Sequence, residues 1–193
     1  MWKAIAKLIM KIGGWKVVYP VPEESDRCVM IAAPHTTNWD GFWVLVALLV
    51  LDIPFKVAVK DTWTKAPLIG NFMKNRGFLG IDRSRKKEGQ PRKSQTEQMA
   101  DYFATNEKIA MVIAPEGTRK LRHEWKMGFY HVAKMANVPI TYGFLDYAKK
   151  EAGVGGVVYP TDDVSADMAQ IMAYYKNITG KYPEQFSLDQ RYT

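Results

Sequence analysis

Short apolar runs alternate with longer helix-like segments along most of this sequence, and that alternation limits the folds open to the chain. The apolar runs predict strands at residues 28–31, 55–59, 78–81, 109–113 and 139–145. The segments between them predict helices at residues 42–51, 67–74, 95–106 and 125–136. Strands that alternate with helices in this way form a mostly parallel sheet with helices on both faces. The sequence therefore predicts an α/β fold, built as a single domain over residues 1–193.

The two ends of the chain are predicted to add elements to this core. Residues 15–19 predict a short strand. Residues 154–159 are predicted to pair antiparallel with the preceding strand, across the polar link at 149–153. Ser165 is predicted to cap a last helix that runs to Tyr175.

Residues 2–12 predict an amphipathic helix that ends at Gly13 and Gly14. Its apolar side carries Trp2, Ile5, Ala6, Leu8, Ile9 and Ile12, and its other side carries Lys3, Lys7 and Lys11. A tryptophan-bearing apolar face beside lysines is typical of a helix in a membrane interface. The alternative is a terminal helix docked on the core with its lysines in water. We expect residues 1–14 to form a membrane-interface helix and residues 28–145 to form the core that bears the motifs.

The charge and the apolar runs limit the partners and the location of the chain. The net charge is +7 and the sequence pI is about 9.3, which favours an anionic partner: nucleic acid, a membrane surface or a phosphorylated small molecule. The longest apolar run, residues 42–51, is too short to span a bilayer, and lysines interrupt any signal peptide. The single cysteine, Cys28, lies in a predicted strand, which indicates a buried, inert thiol and a reducing compartment. These features predict a soluble or peripheral cytosolic protein.

His35 follows the first predicted core strand and precedes a helix, at the kind of elbow where α/β sheets usually place their chemistry. Asp40 is predicted to lie within the first turn or so of that helix, whose dipole favours an ionised carboxylate. A carboxylate there can accept a hydrogen bond from one imidazole nitrogen and leave the other nitrogen free as a base. Taken alone, the pair is also compatible with a helix-capping histidine beside a surface aspartate.

Charged and small residues follow the next strands, at the same predicted edge of the sheet. Arg83 follows one strand, and Glu116, Gly117 and Arg119 follow the next. Arginine offers forked donors that suit a phosphate or a carboxylate, and glycine lets the backbone approach a ligand closely. For Glu116 and Arg119 the alternative is a surface salt bridge.

Four blocks of sequence occur in a recognisable order. They are His35 to Asp40, residues 80–83 (Gly-Ile-Asp-Arg), residues 115–119 (Pro-Glu-Gly-Thr-Arg) and residues 138–140 (Val-Pro-Ile). In this order they resemble the glycerolipid acyltransferase family, which includes lysophosphatidic acid acyltransferase and glycerol-3-phosphate acyltransferase. The resemblance covers residues 28–145, and Lys126 and Gly128 match a lysine–x–glycine that often follows the third block. It implies an α/β sheet flanked by helices, in agreement with the strand and helix pattern.

The resemblance implies a role for each matching residue. It implies His35 as the catalytic base and Asp40 as its orienting partner. It implies contacts to an anionic acceptor at Arg83, Glu116, Thr118 and Arg119, with Gly117 shaping their loop. Pro139 marks a segment associated with the acyl donor, or has a structural role.

Three features depart from the family pattern. Ala114 replaces the more usual aromatic residue, Lys120 stands where serine is frequent, and the strand after Val138 lacks a second proline. The chemistry therefore carries over more directly than the identity of the acceptor.

The implied reaction moves a fatty acyl group from acyl-CoA or acyl-carrier protein to a hydroxyl or amine of a lysophospholipid-like anionic acceptor, as in phospholipid biosynthesis. His35 would deprotonate the acceptor as it attacks the thioester directly, with no cofactor and no acyl-enzyme. Candidate oxyanion donors are N–H groups near the helix start after His35 or in the Gly117 loop. The expected partners are the thioester donor, the lipid acceptor and an anionic membrane surface. The expected location is the inner face of a bacterial cytoplasmic membrane.

Two other classes of function remain open at this point. A thioesterase-type hydrolase could use the same base to activate water, and the basic run at 83–93 suggests a non-catalytic module that binds a membrane or nucleic acid. No nucleic-acid motif accompanies that run, so nucleic acid is not an expected partner. His35, His123 and His131 lack the spacing of metal ligands, and we expect no metal.

Overall fold

The fold is described from a computed structural model of the chain. It describes residues 2–67, 71, 75, 77–82 and 93–193, with the backbone alone at 59, 60 and 63. The strands form one seven-stranded sheet in the order β1-β7-β6-β2-β5-β3-β4. Neighbouring strands run parallel except β6 and β7, which are antiparallel. The predicted α/β fold, with its antiparallel pair near the end, is confirmed.

The strands and helices are numbered in chain order. The strands are β1 Lys16–Val17, β2 Arg27–Ala33, β3 Phe55–Lys60, β4 Phe78–Ile81, β5 Ile109–Ile113, β6 Ile140–Asp146 and β7 Glu151–Val158. The α-helices are α1 Trp2–Ile12, α2 Asn38–Leu51, α3 Asp61–Thr64, α4 Gln95–Thr105, α5 Gly128–Ala136 and α6 Val164–Tyr175. Two 3₁₀ turns occupy Glu23–Asp26 and Pro183–Gln185.

Several predicted boundaries move, and capping explains two of the shifts. The helix predicted from residue 42 begins at Asn38, because the Thr37 side chain caps it and Asp40 completes a capping box. The last helix is capped by Asp163, whose Oδ1 accepts a 3.0 Å bond from the Ala166 N–H, so the predicted Ser165 cap is wrong. The helix predicted at 67–74 falls mostly outside the described residues.

The start of α5 also differs from the prediction, since it begins at Gly128 rather than at residue 125. The Trp125 N–H donates a 3.0 Å bond to the buried carboxylate of Asp189, and the Lys126 N–H donates a 2.8 Å bond to the Pro115 carbonyl. These bonds join the segment before α5 to the carboxy-terminal segment and to the 114–119 loop.

The position of β2 in the sheet decides where the motif loops lie. It pairs parallel with both β5 and β6, with Ile31 opposite Ile113 and Ala33 opposite Phe144. The carboxyl ends of parallel strands share one edge, so the loops after β2 and β5 meet there. That edge carries the His35 loop and the 114–119 loop.

The core lies on both faces of these central strands. Val29 and Ile31 pack towards α5 and α6, in a cluster with Phe129 and Met168. Alternate residues of β2 face α2, as the two-residue period of a strand requires. Cys28 is among them, fully buried as predicted, and burial raises the pKa of its thiol to about 12. The thiol therefore stays protonated near neutral pH.

Helix α1 is docked on the core by one side and exposes apolar side chains on the other. Ala6 and Met10 are buried in a cluster with residues of α2, so the helix is docked on the core. The same helix leaves large apolar side chains exposed on its outer side: Trp2, Ile5, Leu8 and Ile12. No helix in the part of the chain described here is long and apolar enough to cross a membrane.

Candidate active site

His35 and Asp40 lie together at the carboxyl end of β2. His35 Nδ1 is 3.4 Å from Asp40 Oδ2, and their side chains are 27% and 4% exposed. The separation is longer than a well-formed hydrogen bond, as catalytic pairs often are without a substrate. The pair therefore has the geometry of an imidazole oriented by a buried carboxylate.

The local sequence holds the Asp40 carboxylate in place. Its Oδ2 accepts hydrogen bonds from the N–H groups of Thr36, at 2.7 Å, and Thr37, at 2.8 Å. Asp40 also lies in the first turn of α2, where the helix dipole stabilises negative charge. The carboxyl group that faces His35 is thus buried and hydrogen-bonded.

The other oxygen of Asp40 has a partner that the sequence analysis did not identify. The Tyr147 hydroxyl, just beyond the end of β6, donates a 2.8 Å bond to Asp40 Oδ1. No local pattern marks Tyr147, because the contact joins residues 107 positions apart.

Glu116 lies beneath the His35 loop. It is 4% exposed, and its Oε1 accepts a 2.9 Å bond from the His35 N–H. Burial raises the pKa of this carboxyl to about 7, although the N–H bonds of Glu116 itself and of His35 lower it. Oε2 is buried and has no hydrogen-bond partner among the described residues. This placement fits a residue that holds the His35 loop better than one that contacts an anionic acceptor.

The rest of the predicted 115–119 block lies beside the pair. Gly117 adopts φ +62°, a left-handed conformation, and a Cβ there would lie 2.7 Å from Lys126 Nζ. The left-handed turn therefore favours glycine, whereas the flexible end of Lys126 could move away from a Cβ. The Arg119 guanidinium donates a hydrogen bond through Nη1 to Asn38 Oδ1. This bond joins the 114–119 loop to the start of α2.

A cavity of about 590 Å³ opens beside these residues. His35, Gly117, Thr118 and Arg119 line part of it. Much of the remaining wall is apolar and includes Val57, Phe78, Ile81, Met99, Val112 and Phe144. The His35–Asp40 pair thus adjoins an apolar space large enough for part of a lipid chain.

The remaining predicted site residues are Arg83 and Pro139. Arg83 lies outside the described residues. Pro139 precedes β6 at the opposite edge of the sheet, where its carbonyl accepts a 3.0 Å bond from the Val29 N–H. The four residues of strand between the two edges span about 13 Å. Of the two roles considered for Pro139, the structural one agrees with this position.

Most of the N–H groups that were predicted as oxyanion donors already donate hydrogen bonds to acceptors in the protein. The N–H groups of Thr36 and Thr37 are bonded to Asp40, and that of His35 to Glu116. The Gly117 N–H donates to the Ala114 carbonyl at 3.1 Å. Across the described residues no group of three or more His, Cys, Asp or Glu side chains could hold a metal ion.

The structure is thus an α/β fold with a histidine–aspartate pair at the edge where the parallel strands β2 and β5 end. An acyltransferase family model matches residues 18–141, and the chain belongs to the acyltransferase family. Its fold is similar to that of the 1-acyl-sn-glycerophosphate (LPA) acyltransferase PlsC from Thermotoga maritima, with a TM-score of 0.56. The two share 13% identity over 88% of this chain and 73% of that chain. A comparison with curated proteins finds no match.

These findings confirm the resemblance to glycerolipid acyltransferases at the level of family and fold. The protein is an acyltransferase enzyme, so the predicted alternative of a non-catalytic module is set aside.

Proposed function

We propose that this enzyme transfers a fatty acyl group from acyl-CoA or acyl-carrier protein to a hydroxyl or amine of a lysophospholipid-like anionic acceptor. The observation that carries the proposal is the His35–Asp40 pair at 3.4 Å beside a largely apolar cavity. The proposal treats residues 1–193 as one acyltransferase domain, since strands from Lys16 to Val158 join a single sheet.

His35 acts as the general base in this proposal. Asp40 faces Nδ1, which leaves Nε2 to take the proton of the acceptor hydroxyl. The acceptor oxygen attacks the thioester carbonyl, the C–S bond breaks, and the thiolate takes the proton back from the imidazolium. Asp40 stabilises the imidazolium between these steps.

The tetrahedral intermediate carries a negative charge that needs donors. The N–H groups of Thr36, Thr37 and Gly117 are bonded within the chain, so side chains on the cavity wall are the better candidates. Thr118 carries a hydroxyl there, and Arg119 carries a guanidinium. Either can stabilise an oxyanion close to the imidazole.

Arg119 is also the candidate contact for the anionic acceptor. Its guanidinium is exposed beside the start of α2, where the helix dipole and the cation both favour an anion. In the proposal the Arg119 guanidinium releases Asn38 Oδ1 and donates instead to a phosphate or carboxylate of the acceptor. Arg83 remains a proposed second contact, and the apolar wall receives a fatty acyl chain.

The proposal includes a membrane surface as partner. Of the 12 exposed large hydrophobic residues in the described chain, seven lie on α1 and α2: Trp2, Ile5, Leu8, Ile12, Trp39, Phe42 and Leu49. Lys3 and Asp52 form a 3.0 Å ion pair that joins the start of α1 to the end of α2, so the two helices run antiparallel. Ile12 therefore lies at the same end as Trp39 and Phe42, the end that carries the catalytic pair.

The lysines of α1 suit an anionic bilayer. A lysine near an anionic leaflet contributes on the order of 1 kcal/mol to binding. Exposed apolar groups and flanking cations are together typical of peripheral attachment. The proposal therefore places the enzyme on the inner face of the cytoplasmic membrane.

Thiol release from labelled acyl-CoA or acyl-carrier protein, measured with and without lysophospholipid acceptors, tests the chemistry. We expect release that depends on the acceptor, and a roughly hundredfold or larger loss of kcat in His35→Ala. His131→Ala, which removes an exposed histidine of α5, is the matched control and should leave kcat unchanged. Release without any acceptor would indicate the hydrolase alternative, and a folded His35→Ala enzyme with normal transfer would refute the assignment.

A further inference from the structure

Tyr147 binds the face of the Asp40 carboxylate that is turned away from the loop amides. The two N–H groups of Thr36 and Thr37 and the His35 imidazole all face Oδ2, whereas Tyr147 donates to Oδ1 at 2.8 Å. A carboxylate held on one oxygen alone can rotate about its Cβ–Cγ bond. A donor on the second oxygen opposes that rotation and keeps Oδ2 directed at His35.

The tyrosine is itself held from three sides. Its ring packs edge-on against Trp15, with centroids 4.9 Å apart and planes at 84°. Its N–H donates a 2.9 Å bond to the Thr179 carbonyl. The turn that follows it is fixed at its start by Asp146 Oδ1, which accepts from the Ala148 N–H at 3.0 Å. The hydroxyl therefore reaches Asp40 from a rigid support.

The hydroxyl also remains a donor through the working pH range. Burial raises the pKa of Tyr147 well above its ordinary value, and the hydrogen bond to Asp40 raises it further. A neutral donor supports the carboxylate without cancelling its charge, so Asp40 can still stabilise an imidazolium. A lysine or arginine in this place would neutralise that charge.

We propose that Tyr147 is a positioning residue for acyl transfer, which fixes the rotation of the Asp40 carboxylate that orients His35. The inference rests on the proposed function, because it needs His35 and Asp40 as the working pair. Tyr147 lies beyond residues 18–141, the part of the chain that the family model matches. Its role follows from the tertiary contact alone.

Tyr147→Phe tests the proposal because it removes one oxygen and keeps the ring contacts with Trp15. We expect kcat to fall about tenfold, the scale for losing a group that orients a catalytic ligand, while KM for both substrates changes less than twofold. The matched control is Tyr159→Phe, which removes a hydroxyl bonded to Glu24 at 3.2 Å, next to the opposite edge of the sheet. This control should retain the kcat and KM of the unmodified enzyme.

A double-mutant cycle separates positioning from general stability. If Tyr147 acts through Asp40, Tyr147→Phe should lower kcat by less than twofold in an Asp40→Asn background. If Tyr147→Phe lowers kcat by the same factor in the Asp40→Asn background as in the unmodified enzyme, the two residues act independently and the proposal is overturned. An unchanged kcat in Tyr147→Phe alone, or a variant that fails to fold by circular dichroism, would overturn it as well.

His35→Ala, measured in the same assay, distinguishes this inference from the proposed function. If His35→Ala is inactive and Tyr147→Phe is normal, only the role of Tyr147 is wrong. If His35→Ala is fully active, the proposed catalytic pair fails, and the role of Tyr147 fails with it.

Discussion

The backbone N–H of His35 donates a 2.9 Å hydrogen bond to the side chain of Glu116, which lies 81 positions further along the chain. The contact ties the loop after β2 to the loop after β5, at the edge where both strands end. Because Glu116 is 4% exposed, it supports the His35 loop from the interior of the protein.

The stability of the enzyme should depend on the protonation of Glu116. Its pKa rises from an ordinary 4.5 to about 7 in the folded state, so the folded protein holds a proton that the unfolded chain releases. The contribution of Glu116 to the free energy of unfolding should therefore be greatest below about pH 4.5 and should fall as pH rises through about 7. The full change should be on the order of 3 kcal/mol.

Chemical denaturation of the unmodified protein and of Glu116→Gln, from pH 4.5 to pH 8, measures this contribution. The free energy of unfolding of the unmodified protein should fall relative to that of Glu116→Gln as pH rises, because glutamine stays neutral, whereas Glu184→Gln, at an exposed glutamate, should follow the unmodified curve. A pH-independent difference for Glu116→Gln would mean that the carboxyl does not titrate in this range.

Replacing Arg119 should weaken the binding of the acyl acceptor more than that of the thioester donor. Arg119→Lys turns a forked pair of donors into a point charge, so KM for the acceptor should rise about tenfold while KM for the thioester stays nearly constant. Steady-state kinetics with each substrate varied in turn provide the measurement. Arg122→Lys, at an exposed arginine close by in sequence, is the matched control. A rise confined to the thioester KM would assign Arg119 to the donor.

The exposed side of α1 should carry membrane binding. Because Ala6 and Met10 are buried against α2, deleting the helix would uncover the core, so point substitutions are the sharper test. Leu8→Ser with Ile12→Ser should reduce sedimentation with anionic vesicles several-fold and leave transfer to a soluble short-chain acceptor intact. Met135→Ser, at an exposed apolar residue of α5, is the control.

The dependence of vesicle binding on salt and on lipid charge provides a second test of the exposed side of α1. Binding should be weaker to neutral vesicles and should fall with added salt, because screening acts over about 8 to 10 Å at moderate ionic strength. Equal binding by the double variant would place the membrane contact elsewhere in the protein.

Much of the fold could be predicted because it depends on local patterns. The core strands are short apolar runs, and β4 and β5 have the predicted bounds of 78–81 and 109–113. His35 and Asp40 are equally local, since one strand end and one helix cap bring residues five positions apart together. The start of α2 at Asn38 shows where capping side chains set the boundary instead.

The sequence by itself predicted the α/β sheet, the family and the proximity of His35 and Asp40, because periodicity, capping and short motifs act over a few residues. Only the tertiary structure decided that Glu116 lies beneath His35, that Tyr147 holds the second oxygen of Asp40, and that Pro139 lies at the far edge. These contacts depend on the order in which strands pair, which sets β2 between β5 and β6. The burial of side chains such as Glu116 then depends on the segments that pack against them, which are distant in the sequence.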